Sequence, residues 1–271
     1  MATVREPAVA GMFYPASAGL LRAQVLKFLD VAVPADLPVP EALIVPHAGY
    51  VYSGAVAGTA YASVRPRAAA IERVVLLGPA HRVPLQGLAL PAVEYFATPL
   101  GRVPVDRDAA VLLSTLPQVS SDDLVHADEH SLEVQLPFLQ LMLTRQFTVV
   151  PLAVGHATAV DVAGVLDAVW GGGETLIVVS SDLSHYHDYA TACRLDARTV
   201  HAIERLAWEE LRPEAACGCG AIQGLLLAAG RRGLHVRAVD VRNSGDTAGP
   251  RDRVVGYGAF VVYGEQEQSA G

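Results

Sequence analysis

The chain has 271 residues, 52% hydrophobic and 18% charged, with 20 basic against 28 acidic side chains for a formal charge of −8. So much apolar surface excludes disorder as the main state and leaves one large α/β domain or two small ones. A pI near 5.5 with no basic run excludes a broad nucleic-acid footprint, and no apolar run reaches the roughly 18 residues of a membrane span.

Residues 1–7 lack the basic-then-apolar pattern of a secretory signal, so the expected location is the cytoplasm. Short β-branched runs follow at 42–45, 73–77, 148–152, 175–179, 235–241 and 258–263. Their apolar residues are consecutive rather than alternating, the pattern of strands buried on both faces. Helices are predicted at 53–64 with Ser53 as N-cap, and at 106–116, 131–143, 158–170, 190–211 and 221–231. Pro137 predicts a kink or a late start in the third of these. The Pro-rich stretch 31–40 carries few signals, and 84–104 reads as a small antiparallel excursion or a long surface loop. No repeat and no linker interrupts the pattern. The expectation is one α/β domain over 1–264, with a mostly parallel central sheet flanked by helices and a disordered polar tail at 265–271.

Three histidines come directly after three of the strand runs: His47 after Ile44-Val45-Pro46, His81 after Leu77-Gly78-Pro79-Ala80, and His185 after Val179-Ser180-Ser181-Asp182-Leu183-Ser184. In a parallel sheet they emerge on one edge, beyond the carboxyl ends of the strands, where open α/β folds build their sites. Three imidazoles there point to a transition-metal site or an acid/base cluster. Asp182, three residues before His185, is placed to orient that imidazole. The cluster His126-Ala-Asp128-Glu129-His130-Ser131-Leu132-Glu133 reads either as an acidic first helical turn or as a set of substrate and supporting contacts. Cys217, in Cys217-Gly218-Cys219-Gly220 ahead of a helix, is a candidate ligand or nucleophile with a lowered pKa. Cys193 reads as core, and His156, His187, His201 and His235 as solvated or core residues.

Taken together these motifs resemble the Memo-like family. Its elements occur here in order: Arg5-x-Pro7-Ala8-Val9-Ala10-Gly11-x-Phe13-Tyr14-Pro15, Pro46-His47-Ala48-Gly49-Tyr50, Leu77-Gly78-Pro79-Ala80-His81, Glu129-His130-Ser131-Leu132-Glu133, Ser180-Ser181-Asp182-Leu183-Ser184-His185-Tyr186 and Cys217-Gly218. The resemblance implies a fold similar to class III extradiol dioxygenases and one transition metal on His47, His81 and Cys217. It also implies His185 as acid/base with Asp182 in support. Tyr50, His130 and Glu133 are expected on the substrate-binding wall. A cysteine stands where the dioxygenases carry a carboxylate, which makes the donor set softer, suited to copper, zinc or iron, and the ion expected is iron or copper rather than zinc. Three functions follow: a metal-dependent oxidoreductase or dioxygenase-like enzyme on a small molecule, a peptide- or partner-binding module using the same pocket, or a hydrolase or transferase with Cys217 as nucleophile. Prokaryotic members of this type belong to a system that includes a radical-SAM protein, which the resemblance implies as a partner.

Overall fold

Why the central strand runs are apolar on consecutive positions is visible in β2, where Ala42 and Ile44 point into one hydrophobic core and Leu43 and Val45 into another; the run at 235–241 instead forms the edge strand β11, whose His235 and Arg237 are exposed. A sheet covered on both faces has no solvated side on which polar residues could alternate. The computed structural model describes residues 2–32 and 37–265. In chain order its strands and α-helices are β1 (Val4–Arg5), α1 (Ala18–Val31), β2 (Ala42–Val45), α2 (Tyr50–Ala62), β3 (Arg73–Pro79), β4 (Leu88–Leu90), β5 (Tyr95–Thr98), β6 (Gly101–Pro104), α3 (Arg107–Leu113) and β7 (Val119–Ser121). Then come α4 (Asp123–Ala127), α5 (Leu136–Met142), β8 (Thr148–Val154), α6 (Ala159–Val169), β9 (Thr175–Ser180), β10 (His185–His187), α7 (Tyr189–Glu204), α8 (Cys219–Arg231), β11 (His235–Asn243), α9 (Ser244–Thr247) and β12 (Val254–Tyr263).

The main sheet runs β10-β12-β2-β9-β3-β8-β4-β7, with β11 also paired to β12. Its centre, β2-β9-β3-β8, is parallel, while β12 and β4 join it antiparallel on either side. Residues of α1, α2 and α5 pack on one face, and residues of α3, α6 and α8 on the other. This is the single mixed α/β domain expected from the sequence. The stretch 84–104 is the antiparallel excursion: β4 joins the main sheet, and β5 and β6 pair antiparallel in a small sheet with β1.

Several helix boundaries differ from expectation. Helix α2 starts at Tyr50 behind Gly49, and Ser53 caps nothing; its hydroxyl donates to the Ala48 carbonyl at 3.0 Å. The stretch 131–143 opens with a 3-10 turn at Glu133–Gln135, and α5 begins late, with Pro137 in its first turn. Proline lacks the amide that only a helix interior needs, so the first turn tolerates it. Helix α7 stops at Glu204, short of 211, where Leu206 adopts a left-handed φ of 57°. Cys193 on α7 is exposed rather than core, and His156, His187, His201 and His235 are all solvated. Among the described residues no helix is long and apolar enough to cross a membrane. Residues 33–36 of the Pro-rich stretch and 266–271 of the expected tail lie outside the described residues.

Candidate metal centre

Because β2, β9 and β3 are adjacent and parallel, the turns that follow them open on the same edge of the sheet. His47, His81 and His185 meet there, in a cavity of about 670 Å³ that Cys217, His130 and Asp182 also line. The His47 and His81 rings are 5.2 Å apart, and Cys217 Sγ lies 3.2 Å from His47 Nε2. Cys217 reaches this point because Gly218 lies against the end of β9: a Cβ at Gly218 would stand 2.8 Å from Ser181 Cβ and 2.9 Å from the Ser180 carbonyl. The Gly218 amide then donates to Ser181 Oγ at 2.9 Å, and the Asp182 amide to Cys217 Sγ at 3.2 Å.

The hydrogen bonds behind the imidazoles determine which nitrogen carries the proton. Ser180 Oγ gives its one hydrogen to the Ser131 carbonyl at 2.6 Å, so it accepts from Gln135 Nε2 at 2.8 Å and from His47 Nδ1 at 2.9 Å. His81 Nδ1 donates to Glu129 Oε1 at 2.9 Å, and His185 Nδ1 to the Leu183 carbonyl at 2.8 Å. An imidazole held in this way through Nδ1 presents Nε2 as its ligating atom, the arrangement that outer-sphere partners impose on metal-ligating histidines. Burial and the neighbouring His81 and His130 hold His47 well below the usual histidine range, and burial brings His130 to about 4 and lowers His185. The ligand atoms of His47, His81 and Cys217 all lie within 4.8 Å of one another, so this donor set fits a transition metal.

Other expectations need correction. Asp182 does not orient His185; its Oδ1 accepts from the His47 amide at 2.8 Å, and burial pushes its carboxyl up to about 7. The Cys217 thiol is not lowered by the following helix. Burial and the Asp182 charge push it up to about 12. Tyr50 and Glu133 are not on the cavity wall. The Tyr50 hydroxyl donates to the Val134 carbonyl at 2.6 Å inside the core. Glu133 is fully buried, paired with Arg5, and accepts from the Tyr14 hydroxyl and the Ala8 and Val9 amides. Its oxygens are filled by the N-terminal segment and have no capacity left for a ligand. Of the wall residues expected, His130 alone lines the cavity, stacked 4.8 Å from His81.

Glu129, read from sequence as a helix-dipole residue or a supporting contact, is a supporting contact: it accepts from both the amide (2.5 Å) and Nδ1 of His81 and from the Ser131 amide. Phe13, Tyr52, Arg82, Arg253 and Tyr257 also line the cavity and were not singled out. Phe13 stood inside a quoted motif and Tyr52 two residues beyond one, whereas Arg82, Arg253 and Tyr257 carry no spacing signal.

The model of the family described as "Memo-like protein" matches residues 5–261. The chain belongs to the Memo-like family. Among relatives called MEMO1 family protein, one from Aquifex aeolicus is 37% identical over 94% of this chain and 97% of its own. Another from Thermotoga neapolitana is 38% identical over 94% and 98%, and one from Methanosarcina mazei 35% over 96% and 99%. These Memo-like relatives match along nearly their whole length, so the cavity and the sheet that carries it fall within the shared region.

Proposed function

We propose that this Memo-like protein is a metal-dependent oxidoreductase acting on a small molecule, with His47, His81 and Cys217 as ligands of one iron or copper ion. The observation that carries the reading is the convergence of two imidazole Nε2 atoms and one thiol, each residue backed by a fixed hydrogen-bond partner. Two imidazoles and a sulfur form a set that suits copper and iron, and the resemblance to a family of iron-dependent fold relatives favours the redox-active ions over zinc. A bound ion there supplies Lewis acidity and electron transfer to a molecule in the cavity.

The protein's own side chains do the rest. His185, with Nδ1 held by the Leu183 carbonyl, offers Nε2 to take or return a proton at the cavity wall. Asp182, pushed up to about 7, keeps the ligand turn in place through the His47 amide. Glu129 keeps the His81 ring from turning. A thiol pushed up to about 12 is a poor free nucleophile, which weighs against a Cys217 hydrolase or transferase. A radical-SAM partner and a cytoplasmic site of action belong to the same reading through the family.

The test is metal content, by mass spectrometry, of tag-free protein purified anaerobically, compared with His47→Ala and Cys217→Ser. Stoichiometric iron or copper in the wild type, lost in both variants, is the expected result. A wild type that retains no metal after reconstitution with iron, copper and zinc overturns the proposal.

A further inference from the structure

Behind the His47 ring, away from the cavity, four polar side chains are fully buried: Tyr61 on α2, Ser131, Gln135 at the end of the 3-10 turn, and Ser180 at the end of β9. Their neighbours dictate how the Gln135 amide is turned. The Pro46 carbonyl can only accept, so the atom that meets it at 2.9 Å is Nε2, whose second hydrogen goes to Ser180 Oγ at 2.8 Å. From the other side the Tyr61 hydroxyl donates to Oε1 at 3.0 Å. Every polar atom of the amide is thereby used, and the side chain has one orientation.

The consequence passes through Ser180 to the imidazole. A hydroxyl that accepts a hydrogen bond donates its own hydrogen more strongly, and that hydrogen goes to the Ser131 carbonyl at 2.6 Å. Oγ then meets His47 Nδ1, 2.9 Å away, with a lone pair, so the proton of the neutral ring sits on Nδ1 and Nε2 is turned to Cys217 Sγ at 3.2 Å. The same short segment holds the second ligand turn, because Ser131 Oγ donates to the Pro79 carbonyl, two residues before His81, at 2.9 Å. We infer that Gln135 is a positioning residue for His47: its amide fixes the Ser180 hydroxyl, and through it the tautomer that leaves Nε2 to an ion. Without the amide, the hydroxyl hydrogen can turn from Ser131 to Nδ1, which favours the tautomer with its proton on the nitrogen that has to ligate. The ligand role of His47 rests on the metal reading above, whereas its tautomer belongs to the chain with no ion bound.

The test is nitrogen-15 NMR of the imidazoles in the chelator-treated full chain, in which protonated and bare ring nitrogens resonate far apart, with His47 assigned by its loss in His47→Gln. The wild type is expected to show His47 protonated at Nδ1 and bare at Nε2. In Gln135→Met, which keeps the length of the side chain and loses both N–H donors, the proton moves at least partly to Nε2, and metal affinity measured by chelator competition falls about tenfold. His185, whose Nδ1 is held by the Leu183 carbonyl, keeps its tautomer in both proteins and serves as the internal reference for general loosening. A wild-type His47 protonated at Nε2, a wild-type tautomer or wild-type metal affinity in Gln135→Met, or a shift of His47 and His185 together overturns the inference. Should Gln135→Met not fold, Gln135→Asn, whose amide ends one methylene short of Ser180, is read in the same way; failure of both to fold assigns Gln135 to the fold alone and overturns it as well. The tautomer is read with no ion bound, so a wild type that retains no metal overturns the metal reading and not the positioning of His47.

Discussion

The floor and the rim of this one cavity are built on opposite principles. On the floor three imidazoles are each backed by a second group: His47 by Ser180, His81 by Glu129, His185 by the Leu183 carbonyl. On the rim Arg82, Tyr186 and Arg253 are exposed, and the guanidiniums make no ion pair among the described residues. A ligand set must be rigid before an ion arrives, whereas groups that read a diffusing molecule must remain solvated until it binds. The floor is therefore part of what holds the fold together, and the rim is not.

The sharpest way to break this contrast lies under the floor. Arg5 fastens the N-terminal segment to Glu133 and also donates to the His126 and Glu129 carbonyls, so it supports the turn that carries Glu129. Arg5→Ala leaves Glu133 as a buried charge without its partner. We expect a loss of roughly 3–5 kcal/mol in urea unfolding. A loss under about 1 kcal/mol would mean that the floor does not depend on this strap.

Next in size is Glu129→Gln. The amide keeps the shape but weakens the hold on His81 Nδ1, and metal affinity measured by chelator competition is expected to fall by roughly 10–100-fold with the fold intact. Unchanged affinity would show that the His81 ring is fixed by packing alone.

A buried carboxylate far from the cavity provides a reference for the floor. Asp106 caps α3 through the Ala109 amide at 2.9 Å and pairs with Arg73 at 2.7 Å. Burial raises its pKa, but the Ala109 amide, Arg73 and Thr148 outweigh that and hold it below the usual carboxylate range. A lowered folded pKa means that the stabilisation is complete above the unfolded value, near 3.9, and is lost as pH falls through the folded one. Asp106→Asn should therefore cost about 1 kcal/mol at pH 7. That difference should shrink in urea titrations below about pH 4; a constant difference from pH 7 to pH 3 would refute the linkage. The smallest effect is expected at the rim. Arg82→Gln and Arg253→Gln should each change stability by less than about 0.5 kcal/mol, as checked by the same titrations.

Much of this was legible in the sequence where a local pattern has one structural meaning. Runs such as Arg73-Val-Val-Leu-Leu77, short and β-branched, read as strands covered on both sides, and a histidine placed just after such a run emerges at the sheet edge. The late start at Pro137 followed from the missing amide. Ser53 misled because a serine inside the first turn can donate to a carbonyl behind it as readily as it can cap. Glu129 and Glu133 are four apart in one motif, yet a turn and a 3-10 segment send one to His81 and the other to Arg5.

By itself, the sequence determined the α/β alternation, the strands and the three histidines at their ends, because these depend on hydrophobic period and chain order. Only the tertiary structure decided that the Cys217 thiol is pushed up rather than down, that Glu133 and Tyr50 face inward, and that Arg82 and Arg253 line one cavity. Burial, desolvation and the pairing of groups more than 100 residues apart arise only when the sheet closes, and no local spacing encodes them.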